Sequence, residues 1–164
     1  MSTFLVDANF FIQAHRAIYP LDVATSFWLK VKQLADNGNI ISIDKVRNEI
    51  YQNEDELKTW CQLNLPNNFF KNTDIVIIEY GQLAIWANSR SNHYKREAID
   101  EFLDANIADA WLIAFAKNHN ISLVTYEKSE PNSKKKIKIP DVCIEFNVDY
   151  SNTIEMFRSL GEKF

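Results

Sequence analysis

The chain has 164 residues, a hydrophobic fraction of 46% and a net charge of −4, so it can bury a core and is too apolar for intrinsic disorder. With 3 glycines, no G-x-G-x-x-G motif and no P-loop, it is a poor candidate for a dinucleotide- or NTP-binding protein. The acidic balance does not by itself indicate a nucleic-acid-binding protein, and no apolar run reaches membrane-spanning length. We therefore expect a single cytoplasmic domain over residues 1–164 that does not bind a membrane.

The sequence predicts that short strands and helices alternate in the first half of the chain. Phe4–Val6 is a bounded apolar run that suits a strand buried on both faces, and Ile40–Ile43 reads as a second strand. The first predicted helix is 10–18. A second begins at a cap, either Asp22 or Thr25, and ends at Asn37-Gly38, and a third begins after a cap at Asp44. Two more helices are predicted at 55–65 and 74–88. A strand at 75–78 is the less favoured alternative for part of the last segment.

The second half of the chain continues the same alternation. Its clearest helix is 108–118, in which Leu112, Ile113 and Ala116 form an apolar face. The other predicted elements are a charged helix at 91–103, a strand at 121–125, an exposed basic loop at 128–136, a short strand at 137–139, a helix at 140–146 and a last helix at 153–160. This order predicts an α/β fold, a helix-rich three-layer α/β/α sandwich with a mostly parallel central sheet and no secure strand in the middle third.

Four acids are predicted to meet at one edge of this sheet. Asp7 follows the first strand, Glu49 lies in the first turns of the helix after the second strand, and Asp109 opens the helix that leads into the strand at 121–125. Glu127 follows that strand. In right-handed βαβ units each helix begins at the carboxyl edge of the sheet, which is also where open α/β sheets bind ligands.

Clustered carboxylates need protons or a cation, because two of them about 4 Å apart repel by on the order of 4 kcal/mol at an effective dielectric constant near 20. Oxygen ligands without nearby histidine or cysteine suit Mg²⁺ or Mn²⁺, and such a site suits phosphoryl chemistry. Each acid also has a plain structural alternative. Asp7 and Asn9 could cap the next helix, Asp109 could be a first-turn acid that complements the helix dipole, and Glu49 and Glu127 could be solvated charges.

The segments around these acids resemble the motifs of the PIN-domain family, in the same order and over nearly the whole chain. They are Val6-Asp7-Ala8-Asn9, Asn48-Glu49-Ile50, Ala108-Asp109-Ala110-Trp111-Leu112-Ile113-Ala114 and Leu123-Val124-Thr125-Tyr126-Glu127. The tail at 135–143 resembles a poorly characterised branch of that family rather than its typical toxins. The resemblance implies a PIN-like fold and a divalent-metal-dependent endoribonuclease that uses Mg²⁺ or Mn²⁺ to cut RNA. It also implies a relation to the toxins of toxin–antitoxin pairs, with an antitoxin as partner, and leaves a homodimer open.

The same resemblance assigns roles to individual acids. Asp7, Glu49 and Asp109 match the metal-ligand acids of the family. Glu127 stands where the family usually has aspartate, so a direct bond between Glu127 and a metal is an open point. Asp104 competes with Asp109 for the ligand role, and we favour Asp109 because Leu-Ile-Ala follows it at the spacing of the family motif.

Two polar residues and one basic run complete the predicted site. Asn9 matches the polar residue that supports the family's acids, and Thr125 matches the threonine beside the last acid. Lys134, Lys135 and Lys136 belong to the basic loop after Glu127, where they are either solvated charges or contacts for RNA phosphates. An alternative to the nuclease is a catalytically weak or inactive PIN-like module that binds RNA or a protein.

Overall fold

The central sheet of the molecule is parallel throughout and has the strand order β3-β2-β1-β4-β5. The computed structural model describes residues 2–164. Its strands are β1 (Phe4–Val6), β2 (Ile40–Ile43), β3 (Phe70–Lys71), β4 (Ser122–Val124) and β5 (Tyr150–Ser151). In the register of the sheet Phe4 faces Ile40 of β2 and Ser122 of β4. All residues of β1 are buried, as predicted for a strand that is covered on both faces.

Helices surround this sheet in an α/β/α arrangement, which confirms the predicted helix-rich three-layer sandwich. They are α1 (Ala8–Gln13), α2 (Thr25–Asp36), α3 (Asp44–Tyr51), α4 (Glu56–Asn64), α5 (Ile77–Ser89), α6 (Arg96–Phe102), α7 (Ala108–His119), α8 (Ile139–Glu145) and α9 (Thr153–Leu160). α1 continues into a wider π-helical turn at Ala14–Ile18, and a 3₁₀ turn at Asp74–Val76 precedes α5. Within residues 2–164 no helix is both long and apolar enough to cross a membrane.

Helix α7 lies at the centre of the fold. It contacts α3, α5 and α8 as well as strands β2 and β4, so it is apolar around most of its circumference rather than along one stripe. Every residue from Ala110 to Ala116 is buried, which explains why the sequence marks this helix so clearly. The helix ends at Asn120, whose φ of 51° is the left-handed conformation that often closes a helix.

Several sequence predictions differ from the structure at the ends of elements and at the edges of the sheet. The predicted helix at 91–103 begins only at Arg96, and the predicted strand at 137–139 is absent because α8 begins at Ile139. The caps at Asp22, Thr25 and Asp44 are wrong, since α2 begins after Ala24 without a side-chain cap and α3 begins at Asp44 itself. The edge strands β3 and β5 have two residues each, too few for any hydrophobic period to reveal them.

Leu112→Ala should test the central position of α7. Leu112 is fully buried, so we expect the free energy of unfolding to fall by about 2–5 kcal/mol through lost apolar contacts and a cavity. The matched control is Leu63→Ala, because Leu63 is 79% exposed and its truncation should change stability by less than about 0.5 kcal/mol. Urea denaturation of both variants measures the difference, and equal losses would contradict the central role of α7.

Candidate functional site

Asp7 directly follows β1 and is both a helix cap and a member of the acidic cluster. Its Oδ1 accepts the amide hydrogen bond of Phe10 at 2.8 Å and so caps α1. Asp7 is only 3% exposed, and this burial raises its pKa to about 7, although the Phe10 amide and the Thr125 hydroxyl act in the opposite direction. The charges of Glu127 and Glu49 raise the pKa further, so these acids lie within electrostatic reach of each other.

Glu49 links α3 to the beginning of α7. Its Oε1 accepts a hydrogen bond of 2.7 Å from the amide of Ala108, the first residue of α7. Burial raises the pKa of Glu49, while this amide partly offsets the effect. The sequence places Glu49 on α3, and the structure shows that its side chain is held at the N-terminus of α7.

Asp109 occupies the first turn of α7, beside the amide that Glu49 accepts. Burial raises the pKa of Asp109 to about 7, and the charges of Glu127, Asp7 and Glu49 add to this effect. Lys136 is the nearby cation that lowers the pKa. The four acids come from positions 7 to 127 of the chain, and their charges act on one another at this end of the sheet.

Glu127 is held at the end of β4 by contacts on both of its carboxylate oxygens. Oε2 accepts the amide of Ile139 at 2.7 Å, at the first residue of α8. Oε1 lies 3.4 Å from Nζ of Lys136. The Glu127 amide in turn donates to the hydroxyl of Thr125 at 3.1 Å, so Thr125 supports Glu127 through its backbone.

These contacts place the cluster at the N-termini of three helices. Asp7, Glu49 and Glu127 accept backbone amides of α1, α7 and α8, respectively, and Asp109 lies in the first turn of α7. Unpaired amides and the helix dipole make each helix N-terminus favourable for negative charge. The fold therefore supplies part of the compensation that the clustered carboxylates need. Of these amide contacts, the sequence indicated only the cap by Asp7.

Lys136 lies apart from the two lysines that precede it. Burial alone lowers its pKa, but the attractions of Glu127 and Asp109 outweigh this effect, and the pKa lies above its usual value. Lys134 and Lys135 are exposed. The lysine run is therefore not uniform, since its last member faces the acids while the first two face solvent. The buried Ile137 that follows Lys136 is the sequence signal that could have indicated the inward turn.

Two other predicted residues lie at the margin of the cluster. Asn9 is exposed in the first turn of α1, and its side chain makes no hydrogen bond to any residue that the structure describes. Asp104 is exposed in the loop before α7, where its Oδ1 accepts the amide of Asn106 at 2.9 Å. This position agrees with a helix-end acid and leaves Asp109 as the acid inside the cluster.

The carboxylate oxygens of the cluster are suitable ligands for a hard divalent cation, although the side chains are not arranged as a preformed metal site. Across residues 2–164 no group of three or more acidic, histidine or cysteine side chains has the geometry to hold a metal ion as it stands. The Asp109 carboxylate, however, accepts no hydrogen bond from a described residue, and Asp7 and Asp109 have strongly raised pKa values. Oxygen donors and unrelieved negative charge are the properties that favour Mg²⁺ or Mn²⁺.

Comparison with known proteins gives a family and a fold. A family model described as a domain of unknown function, DUF4411, matches residues 4–164. The crystal structure of VapBC2 from Rickettsia felis bound to a fragment of its promoter DNA contains a chain of similar fold. The TM-score is 0.53 and the sequence identity 14%, and the similarity covers 92% of this chain and 98% of that chain. No curated protein matches the sequence. This similarity is one of fold, and the fold is PIN-like.

The raised pKa values predict an unusual dependence of stability on pH in metal-free buffer. Asp7 and Asp109 have an ordinary value of 3.8 and a folded value of about 7, so between these pH values the folded state binds more protons than the unfolded state. The free energy of unfolding should therefore fall as pH rises from about 4 to about 7, and the loss should persist above that range. Thermal melts in EDTA at several pH values measure this slope.

Asp109→Asn should flatten that slope and raise the melting temperature at pH 8 by about 2–4 °C or more, which corresponds to roughly 1 kcal/mol for a protein of this size. Asp7→Asn should behave similarly, because asparagine keeps the cap on Phe10 while removing the charge. The control is Asp104→Asn, since Asp104 is exposed and outside the cluster. An unchanged slope in both cluster variants would mean that burial and mutual repulsion do not raise the pKa values of Asp7 and Asp109 in the folded protein.

Proposed function

The chain belongs to the DUF4411 family, and on that premise we propose that it is a divalent-metal-dependent endoribonuclease of PIN type. The observation that carries the proposal is the group of four carboxylates at the carboxyl edge of a PIN-like parallel sheet. Two of them have pKa values of about 7 through burial and mutual repulsion. Carboxylates perturbed by burial and by specific charged neighbours are typical of functional sites.

We assign metal binding to Asp7, Glu49 and Asp109, with Glu127 as the fourth acid. A bound Mg²⁺ or Mn²⁺ would supply Lewis-acid stabilisation of the charge that develops on the phosphate. Thr125 keeps the chain after β4 in place by accepting the Glu127 amide.

We also propose an antitoxin protein as the partner in the cytoplasm. The support is the PIN-like fold that this chain shares with a chain of the VapBC2 structure. Co-expression with the product of an adjacent gene, followed by co-purification, tests this proposal. A homodimer is the alternative assembly, and the mass of the isolated protein in light scattering separates the two.

A second candidate function is a PIN-like module that binds RNA or a protein without cutting. The observation that favours it is the pair between Glu127 and Lys136, together with the attraction of Lys136 to Asp109. An ammonium group in that position compensates part of the cluster charge without a metal. In this case Mg²⁺ and Mn²⁺ would neither bind nor support cleavage.

The nuclease proposal predicts cleavage of a mixed RNA pool with Mn²⁺ or Mg²⁺ and none in EDTA. Asp7→Asn, Glu49→Gln and Asp109→Asn should each lower the rate by about 100-fold or more, because each removes charge from the site that stabilises the transition state. The matched control is Asp104→Asn, which should cut at nearly the wild-type rate. Calorimetry with Mn²⁺ supplies a second measurement, in which binding should weaken in the cluster variants alone.

Either of two results would contradict the proposal. One is wild-type protein that binds Mn²⁺ but leaves RNA intact. The other is cleavage that survives all three cluster substitutions, which would point to a contaminating nuclease. Absence of both metal binding and cleavage would favour the non-cutting module.

The lysine run gives a separate prediction for RNA binding. The Lys134→Gln/Lys135→Gln variant should weaken RNA binding and lower the log–log salt slope by about 1.4, since each phosphate contact on a single strand contributes about 0.7. Lys136→Gln should change the slope less and should instead destabilise the metal-free protein, because Lys136 pairs with Glu127. Fluorescence anisotropy at several salt concentrations measures the slopes. Equal slopes in the wild type and the double variant would mean that Lys134 and Lys135 are solvated charges that do not contact RNA.

A further inference from the structure

Lys136 brings a positive charge into the acidic cluster, and the proposed metal site does not use it. Its Nζ lies 3.4 Å from Oε1 of Glu127. Burial lowers the pKa of Lys136, but the charges of Glu127, Asp109 and Glu101 raise it above its usual value. The ammonium group is therefore protonated at neutral pH and lies among acids from three elements, namely α6, the first turn of α7 and the end of β4.

The backbone on both sides of Lys136 is anchored to the rest of the protein. Before it, the carbonyl of Lys134 accepts the amide hydrogen bond of Lys95 at 2.9 Å. After it, the side chain of Ile137 is only 2% exposed. Because the chain is held at both points, the ammonium group is directed toward the acids by the fold and does not behave as a freely moving surface charge.

Glu127 differs from the other acids in that both of its carboxylate oxygens have a partner. Oε2 accepts the amide of Ile139 at 2.7 Å, and Oε1 lies beside Lys136. Glu49 uses only Oε1, for an amide at the beginning of α7, and the Asp109 carboxylate accepts no hydrogen bond from a described residue. Glu49 and Asp109 therefore keep oxygens for a metal, whereas an ammonium group already lies against Glu127.

The space that Lys136 shares with Asp109 is too small for a hydrated ion. Both side chains line a cavity of about 10 Å³, together with Glu101, Phe102 and Ile137. Such a volume has room for about one water molecule, and Mg²⁺ usually keeps several of its waters when it binds to a protein. A divalent ion with its waters therefore cannot lie in this space while Lys136 is in place.

From these contacts we propose that the ammonium group of Lys136 takes the place of one of the two divalent ions that a nuclease site can hold, so that this chain binds one divalent ion. The ion is held by Asp7, Glu49 and Asp109, and Lys136 supplies the second positive charge beside Glu127. The inference rests on the proposed metal-dependent function. It adds the number of ions and a role for Lys136, and it makes a direct bond between Glu127 and the metal unnecessary.

The number of ions that the protein binds tests this inference. Calorimetry of EDTA-treated and dialysed wild-type protein with MnCl₂ at pH 8, without RNA, should give about one ion per chain. Lys136→Met keeps an unbranched side chain without the charge and should bind about two, because the vacated position beside Glu127 then accepts a second ion. Lys136→Arg keeps the charge and should again bind about one. The matched control is Lys135→Met, since Lys135 is exposed and its loss should leave the number unchanged.

Thermal melts give a second measurement on the same variants. In EDTA, Lys136→Met should melt about 2–4 °C below the wild type, because Glu127 and Asp109 lose a compensating charge, and Lys135→Met should melt with the wild type. Saturating Mn²⁺ should raise the melting temperature of Lys136→Met more than that of the wild type, since an additional bound ion stabilises the folded state by mass action. A lysine with a merely structural role would lower the first melting temperature without enlarging this shift.

Two bound ions in the wild type would overturn the inference, and so would equal numbers of ions in the wild type and Lys136→Met. If Lys136→Met folds poorly, Lys136→Gln replaces it with the same expected numbers. Absence of Mn²⁺ binding in both proteins would also overturn the inference and would favour the non-cutting module.

These outcomes differ from a failure of the nuclease proposal. If the wild type binds one Mn²⁺ and Lys136→Met binds two, but neither protein cuts RNA, the ribonuclease function fails and the role of Lys136 stands. If the wild type cuts RNA and binds two ions, the nuclease stands and the inference about Lys136 is overturned.

Discussion

Four carboxylates share one end of a buried sheet, and the backbone amides of three helices hold three of them there. Asp7, Glu49 and Glu127 each accept an amide from the beginning of a helix. These bonds fix α1, α7 and α8 relative to β1, β4 and α3, so the same contacts that organise the fold also bring the acids together. Removal of one carboxylate therefore changes both a helix end and the charge of the cluster.

The charge of the cluster is only partly compensated by this arrangement. Helix dipoles and amides favour the ionised acids, yet burial and mutual repulsion dominate, and the pKa values of Asp7 and Asp109 rise to about 7. Lys136 contributes a positive charge that lowers the pKa of Asp109. A protein that keeps such a site accepts reduced stability at neutral pH, which is typical of sites maintained for binding or catalysis.

Glu127 has a longer side chain than the aspartate that the PIN-domain motif usually has at this position. Its longer side chain spans from the end of β4 to the amide of Ile139 and to Lys136, and it thereby fastens the basic loop between β4 and α8 against the cluster. A cleft on the other side of Glu127 is lined by Tyr126, Ser151 and Thr153. The acids, the loop and the cleft thus form one continuous surface along the carboxyl edge of the sheet.

The sequence by itself determined the alternation of strands and helices, the central helix α7 and the convergence of the four acids, because hydrophobic periodicity and the handedness of βαβ units are local or topological rules. Only the tertiary structure decided the two-residue edge strands, the late start of α6 and the inward turn of Lys136. It also decided that Asp7 caps a helix while belonging to the cluster, and that residues from β5, α9 and the end of β4 line one cleft. These features depend on burial and on partners distant in the chain, such as Lys136 beside Glu127 or Glu49 at the amide of Ala108, and no local pattern of residues specifies them.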